Sequence, residues 1–293
     1  MDRIYQPHPT NSELDSLQPP LRLDRRGFVK TSLGAGFAAA VLPVQAKTMI
    51  HTDAQGLTAG EIRIPTKDGD MPAYRAQPAG KTGLAAVLVV QEIFGVHEYI
   101  KDVCRRLAKL GYLAVAPELY ARQGDVSKMS VPDILANVVA KIPDAQVMSD
   151  LDAAASWAAT HGGGGKLGIT GFCWGGRIVW MYAAHSPALA AGVAWYGNVA
   201  TGRFPGDKGA VQVVERIKAP ILGLYGGADS GIPHDTVEKM RAALKAAGNT
   251  ASEIVLYPDT PHAFHSDYRD SYRKGPAEDG WKRLTAWFGR YLA

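Results

Sequence analysis

The chain has 293 residues, 46% hydrophobic and 20% charged, which is ample for one large α/β core. The formal net charge of +4 is mild, and no Lys/Arg cluster interleaves with aromatics, so nucleic acid is excluded as a favoured partner. With Cys104 and Cys173 as the only cysteines, no disulfide framework is implied.

Residues 1–24 are polar and contain several prolines. Arg25-Arg26-Gly27-Phe28 then leads into an uncharged Ala/Gly-rich stretch over 31–46. A basic pair, an apolar run and a small-residue site at Val44 and Ala46 together resemble a twin-arginine signal. The uncharged stretch is shorter than the ~20 residues needed to span a bilayer. Cleavage after Ala46 is therefore expected. It would leave a folded protein in the periplasm or outside the cell, with no stable membrane anchor and the export machinery as partner of the precursor. The expected organisation is a signal over 1–46, a linker over 47–60 and one domain over 61–293.

Short apolar runs predict strands at 61–64, 71–76, 84–90, 112–116, 167–170, 190–196, 219–225 and 254–257. Lys67-Asp68-Gly69 is a hairpin turn between the first two. Helical periodicity predicts helices at 99–110, 144–160, 177–184 and 235–247, and a closing helix carrying Trp281, Leu284, Phe288 and Tyr291. A further helical excursion is expected over 130–141. Cys104 falls on the apolar face of the 99–110 helix with Ile100, Val103 and Leu107, which makes it a core residue. Gly162 to Gly165, before Lys166, lacks phosphate-loop spacing and precedes a strand, so it reads as a flexible turn. Strands alternating with helices predict one doubly wound, mainly parallel sheet with helices on both faces.

Gly171-Phe172-Cys173-Trp174-Gly175-Gly176 joins the 167–170 strand to the next helix. A G-x-nucleophile-x-G turn in that context is a nucleophile elbow of the α/β-hydrolase kind. It lifts the Cys173 thiol above the sheet and aims the Trp174 N–H, at the helix start, toward a developing oxyanion. Asp229 and His262 follow, each in a loop at a strand's C-terminal end. Nucleophile, acid, histidine is the chain order of an α/β-hydrolase triad. His262 is the residue type that takes a thiol proton and returns it to a leaving group, and Asp229 would orient the ring. His265 competes with His262, and Asp229 could instead cap the helix after it. His262 and His265 lack a carboxylate in zinc-binding register, so neither a metal nor a cofactor is expected.

These motifs, with Gln91-Glu92-Ile93-Phe94-Gly95, Leu119-Tyr120-Ala121-Arg122-Gln123 and His262-Ala263-Phe264, resemble the dienelactone hydrolase (carboxymethylenebutenolidase) family of α/β-hydrolases. The resemblance extends from about Glu61 to Ala293. It implies opening of an enol-lactone to a linear dicarboxylic acid. It gives Glu92 the task of holding or deprotonating the cysteine, and the Ile93 N–H the place of second oxyanion donor. It also implies arginines that bind the substrate carboxylate. Arg122 matches the first, Ser266 stands where the second would fall, and Arg269 lies three residues on. The small, anionic ester or lactone so implied is one reading. A broader carboxylesterase or thioesterase on the same residues is another, and a non-catalytic binding protein of the same fold is a third.

Overall fold

The computed structural model describes Leu17 and residues 49–200 and 208–293. The expected twin-arginine signal over 1–46, with its expected cleavage after Ala46, falls outside those residues except for Leu17. Eight strands form one sheet in the order β1-β2-β4-β3-β5-β6-β7-β8. They are β1 (Leu57–Thr66), β2 (Gly69–Pro78), β3 (Leu84–Val90), β4 (Leu113–Pro117), β5 (Gly163–Phe172), β6 (Leu189–Trp195), β7 (Ile221–Gly226) and β8 (Glu253–Tyr257). β1 pairs antiparallel with β2 and β2 with β4, while every pair from β4 through β8 is parallel. The fold is the expected α/β-hydrolase sheet with an antiparallel hairpin on one edge.

The helices are α1 (Glu98–Lys109), α2 (Val131–Asn137), α3 (Asp144–Thr160), α4 (Trp174–His185), α5 (His234–Ala246) and α6 (Lys274–Tyr291). The apolar run of β3 is buried from Ala86 to Val90, because helices cover both faces of a parallel strand. Cys104 is fully buried in α1 beside Ile100 and Val103, and burial pushes its thiol well above the usual range. In α6, Leu284 and Phe288 are fully buried. Each such side chain contributes about 1.5–3 kcal/mol on burial.

Two boundaries differ from the sequence reading. β1 begins at Leu57, inside the segment assigned to the linker, because ten residues pair in register with β2, from Leu57 opposite Pro78 to Thr66 opposite Gly69. The glycine run is no flexible turn: Gly163 to Gly165 open β5. A Cβ on Gly165 would lie 2.9 Å from the Ala85 nitrogen, so glycine there lets β5 pass close to the start of β3.

The chain turns back on itself between β3 and β5, which are neighbours although β4 intervenes in sequence. Such a switch point opens a crevice at the C-terminal ends of the two strands. Glu92 and Ile93 leave β3 there, and Cys173 leaves β5 there. At the N-terminal side, the Ile50 N–H donates to Asp267 Oδ2 at 3.1 Å and Arg106 binds the same oxygen at 2.8 Å. The entering chain is thus tied to the loop that follows His262.

Candidate active site

Cys173 stands between β5 and α4, at the N-cap of α4, with φ 56° and ψ −116°, a conformation that L-residues adopt only under constraint. The constraint is visible. The Cys173 N–H donates to the Trp195 carbonyl at 3.0 Å, and its own carbonyl accepts from Gly176 at 2.9 Å. A Cβ on Gly175 would lie 2.5 Å from the Gln91 carbonyl, and one on Gly171 would collide with the Gly175 carbonyl. These glycines let α4 start directly against the ends of β3 and β5. Neither the Trp174 N–H, at the first position of α4, nor the Ile93 N–H makes a hydrogen bond among the described residues.

Asp229 follows β7, and His262 follows β8. His262 Nδ1 lies 2.6 Å from Asp229 Oδ2, and the other carboxylate oxygen accepts from the Gly231 N–H at 2.9 Å. Asp229 does not cap α5, which starts at His234 with Pro233 at its N-cap. His262 Nε2 is buried and has no hydrogen-bond partner among the described residues. Burial alone would lower the imidazolium, but Asp229 and then Cys173 outweigh it and raise His262 to about 10. Cys173, Asp229 and His262 are each less than a tenth exposed. The Tyr196 ring packs edge-on against His262 with centroids 5.1 Å apart, and Tyr196 itself has φ 39°.

His265 occupies different surroundings. Its ring stacks on Phe172 and Trp281, and its Nδ1 lies 2.6 Å from the Tyr99 hydroxyl. Burial, then Arg106, hold its pKa well below the usual range. A neutral histidine wedged among aromatic rings packs as a core residue.

Glu92 is fully buried. Ser266 Oγ donates to its Oε1 at 2.9 Å and the Tyr268 hydroxyl to its Oε2 at 2.5 Å. His97 Nε2 lies 3.4 Å from Oε2. Burial by itself would raise this carboxyl, but His97, Arg269 and Tyr268 prevail and pull it down to about 2. No hydrogen bond joins Glu92 to Cys173 among the described residues. Sequence reasoning missed His97, Tyr196 and Tyr268, which no local motif marks, and noticed Ser266 only as a place without arginine.

Arg122, which the resemblance assigns to the substrate carboxylate, is paired here with acids of the fold. Nη1 and Nη2 grip Asp150 Oδ2 and Oδ1 at 2.6 and 2.7 Å, and Nε lies 3.3 Å from Asp68. The bidentate fork is spent on a carboxylate of α3 whose side chain is only 1% exposed. The nearby Glu118 instead accepts the Val96 N–H at 2.7 Å. Arg269 lies close enough to Glu92 to act on its charge. It is 5% exposed, lies over the Phe94 ring, donates from Nη2 to the Leu17 carbonyl, and has no partner for Nη1 among the described residues. No cluster of three or more metal-ligating side chains occurs among the described residues.

Residues 71–292 match the dienelactone hydrolase family. The chain belongs to that family. It is therefore a hydrolase of the carboxymethylenebutenolidase-like, carboxylic ester class. A protein of Methylorubrum extorquens provisionally named carboxymethylenebutenolidase is 59% identical over 290 residues, covering 96% of this chain and 98% of the relative. One of Escherichia coli with the same provisional name is 52% identical over 265 residues, covering 89% and 97%. The crystal structure of a provisionally named dienelactone hydrolase from Klebsiella pneumoniae aligns with TM-score 0.77 at 55% identity, over 80% of this chain and 99% of that one. A dienelactone hydrolase-like promiscuous phosphotriesterase from metagenomic libraries shares the fold at TM-score 0.68 and 19% identity, over 81% of this chain and 100% of that one.

Proposed function

We propose that this member of the family is a thiol hydrolase of small esters or lactones in which Cys173 is the nucleophile, His262 the acid and base, and Asp229 the residue that orients it. The observation that carries this reading is the strained elbow at Cys173 together with the 2.6 Å His262–Asp229 contact. Asp229 fixes Nδ1, which leaves the buried Nε2 to exchange a proton with the thiol. The Cys173 proton passes to His262, and sulfur attacks the carbonyl carbon. The oxyanion is met by the Trp174 and Ile93 N–H groups, which have no other partner among the described residues. The C–O bond breaks, and His262 delivers its proton to the leaving oxygen. Water, deprotonated by His262, then cleaves the thioester and restores the thiol. A lactone gives one product because acid and leaving group stay tethered.

An enol-lactone is the substrate class we favour, by analogy with the names of the relatives. Its carboxylate would meet Arg269, since Arg122 is already held by Asp150. A broader esterase remains the second reading, because a single buried guanidinium grips less firmly than the pair that the resemblance implies. A hydrolysis panel of anionic enol-lactones against neutral p-nitrophenyl esters, run on the chain from residue 47, separates them. A kcat/KM preference for the lactones that Arg269→Met abolishes supports the first; equal rates on both support the second. We also propose export by the twin-arginine route. It is tested by Arg25→Lys with Arg26→Lys, which should trap the precursor in the cytoplasm.

A further inference from the structure

Ile93, whose N–H is the second oxyanion donor of the proposed reaction, sits in a tight turn. Glu92 and Gly95 pair as an antiparallel bridge, which leaves Ile93 and Phe94 between them. The segment that follows β4 anchors this turn on both sides. Before the turn, Gln91 Oε1 accepts the Leu119 N–H at 3.2 Å. After it, the Val96 N–H donates to Glu118 Oε2 at 2.7 Å. We propose that Glu118 is a positioning residue of this hydrolase: its carboxylate fixes the turn that presents the Ile93 N–H to the oxyanion, and it touches no reacting atom. The proposal rests on the thiol-hydrolase reading and adds to it the group that aims one of the two donors.

Glu118 is itself held in place. Its N–H donates to the Pro72 carbonyl at 2.8 Å, and its Oε1 accepts the Tyr120 N–H at 3.3 Å. The turn is shaped to receive the carboxylate. Gly95 has φ 76°, and a Cβ there would lie 2.9 Å from Glu118 Oε2, so glycine is what lets the backbone come this close. A cleft of about 380 Å³ borders the turn, with Phe94, Val96, His97, Glu118 and Val126 among its lining. Packing therefore does not close in on the turn from that side. A charge-assisted hydrogen bond to a backbone N–H supplies the restraint instead. Without it the turn can relax toward the cleft and carry Ile93 along through the Glu92–Gly95 bridge. The Trp174 N–H belongs to α4 and would stay where it is. The oxyanion would then keep one donor and lose the other, a loss felt in the transition state and not in the bound substrate.

Glu118→Ala and Glu118→Gln on the full chain test this with three readouts. The first is kcat and KM with p-nitrophenyl acetate. The second is inhibition by butanal: the Cys173 sulfur bonds to the aldehyde carbon, and the thiol proton passes through His262 to the aldehyde oxygen, which lies where the oxyanion would. The third is the rate of Cys173 alkylation by iodoacetamide, in which sulfur displaces iodide and no oxyanion forms. For Glu118→Ala, kcat should fall by about 10–10²-fold with KM within about threefold, the signature of a misplaced transition-state donor. The butanal inhibition constant should rise by about tenfold or more, while alkylation stays within about twofold of the parent. Glutamine keeps a carbonyl for the Val96 N–H but turns an amide NH2 toward the Tyr120 N–H, so Glu118→Gln should lose only about threefold in kcat and in butanal affinity. A kcat for Glu118→Ala within twofold of the parent overturns the proposal. So does a fall in kcat with unchanged butanal inhibition, and so does alkylation that falls as far as kcat, since either would make Glu118 a support of the whole site. If Glu118→Ala does not fold, Glu118→Gln is judged on the same three readouts at its smaller expected loss. Full turnover by the parent after Cys173 is alkylated would instead count against the thiol-hydrolase reading itself.

Discussion

Replacing Arg122 by methionine should cost stability and leave substrate affinity alone. Both terminal nitrogens of Arg122 bind the two oxygens of Asp150, whose side chain is 1% exposed on α3. Removing one partner of a buried pair strands the other charge, at a cost of about 3–5 kcal/mol when both are dry. Arg122 is 24% exposed, so water reaches its side of the pair and the loss should be about 2–3 kcal/mol. In a domain of this size one kcal/mol moves Tm by about 2–4 °C, so Tm should fall by about 4–12 °C. Differential scanning calorimetry reads this directly, and Arg122→Lys, which keeps the charge and loses the fork, should fall in between. KM for an anionic lactone and for a neutral aryl ester should both stay within about twofold of the parent. A Tm within a degree of the parent, together with a roughly tenfold rise in KM for the anionic substrate alone, would refute this reasoning. It would return Arg122 to the substrate.

Other expectations follow from the same geometry. His262→Ala should lower kcat by about 10²-fold or more. His265→Ala should mainly lower Tm, because it empties a space among Phe172, Trp195 and Trp281. The sign of the pH dependence differs between the two titrating groups. His262 is raised from 6.5 to about 10, so its contribution to stability is complete below about pH 6.5 and disappears as pH rises through 10. Glu92 is lowered from 4.5 to about 2, so its contribution is present above about pH 4.5 and is lost as pH falls through 2. Urea titrations of the parent and of the Asp229→Asn and Glu92→Gln variants across pH 3–10 check both windows. Gly175→Ala should cripple activity, since its Cβ would lie 2.5 Å from the Gln91 carbonyl and α4 would have to move.

The elements that a local pattern specifies were legible in the sequence. The uniformly apolar run of β3 and the alternation of strands with helices reflect burial on both faces, which composition records directly. The elbow is a short-range device, so its glycines and Cys173 stand together in the chain. Asp229 and His262 were placed by chain order, and the structure brings them to 2.6 Å across a 33-residue separation. What could not be read was partner choice across the fold. Arg122 and Asp150 are 28 residues apart on different elements, and a loop arginine looks the same whether it faces substrate or a buried acid. The donors to Glu92 are 174 and 176 residues away, and only the folded loops bring them near. The glycines opening β5 looked like a flexible turn because their packing against the start of β3 is tertiary.

The central claim is that the acyl group passes through the sulfur of Cys173, and trapping that intermediate tests it most directly. The enzyme would be mixed with p-nitrophenyl acetate, quenched in acid within milliseconds, digested, and mapped by mass spectrometry. The account predicts an acetyl adduct on the peptide containing Cys173 and none on the one containing Cys104. It further predicts that Cys173→Ala gives neither adduct nor turnover while retaining the parent's Tm within a few degrees, as for a substitution without large packing loss. Turnover by Cys173→Ala at the parent's rate, or an adduct on any other residue, would contradict it.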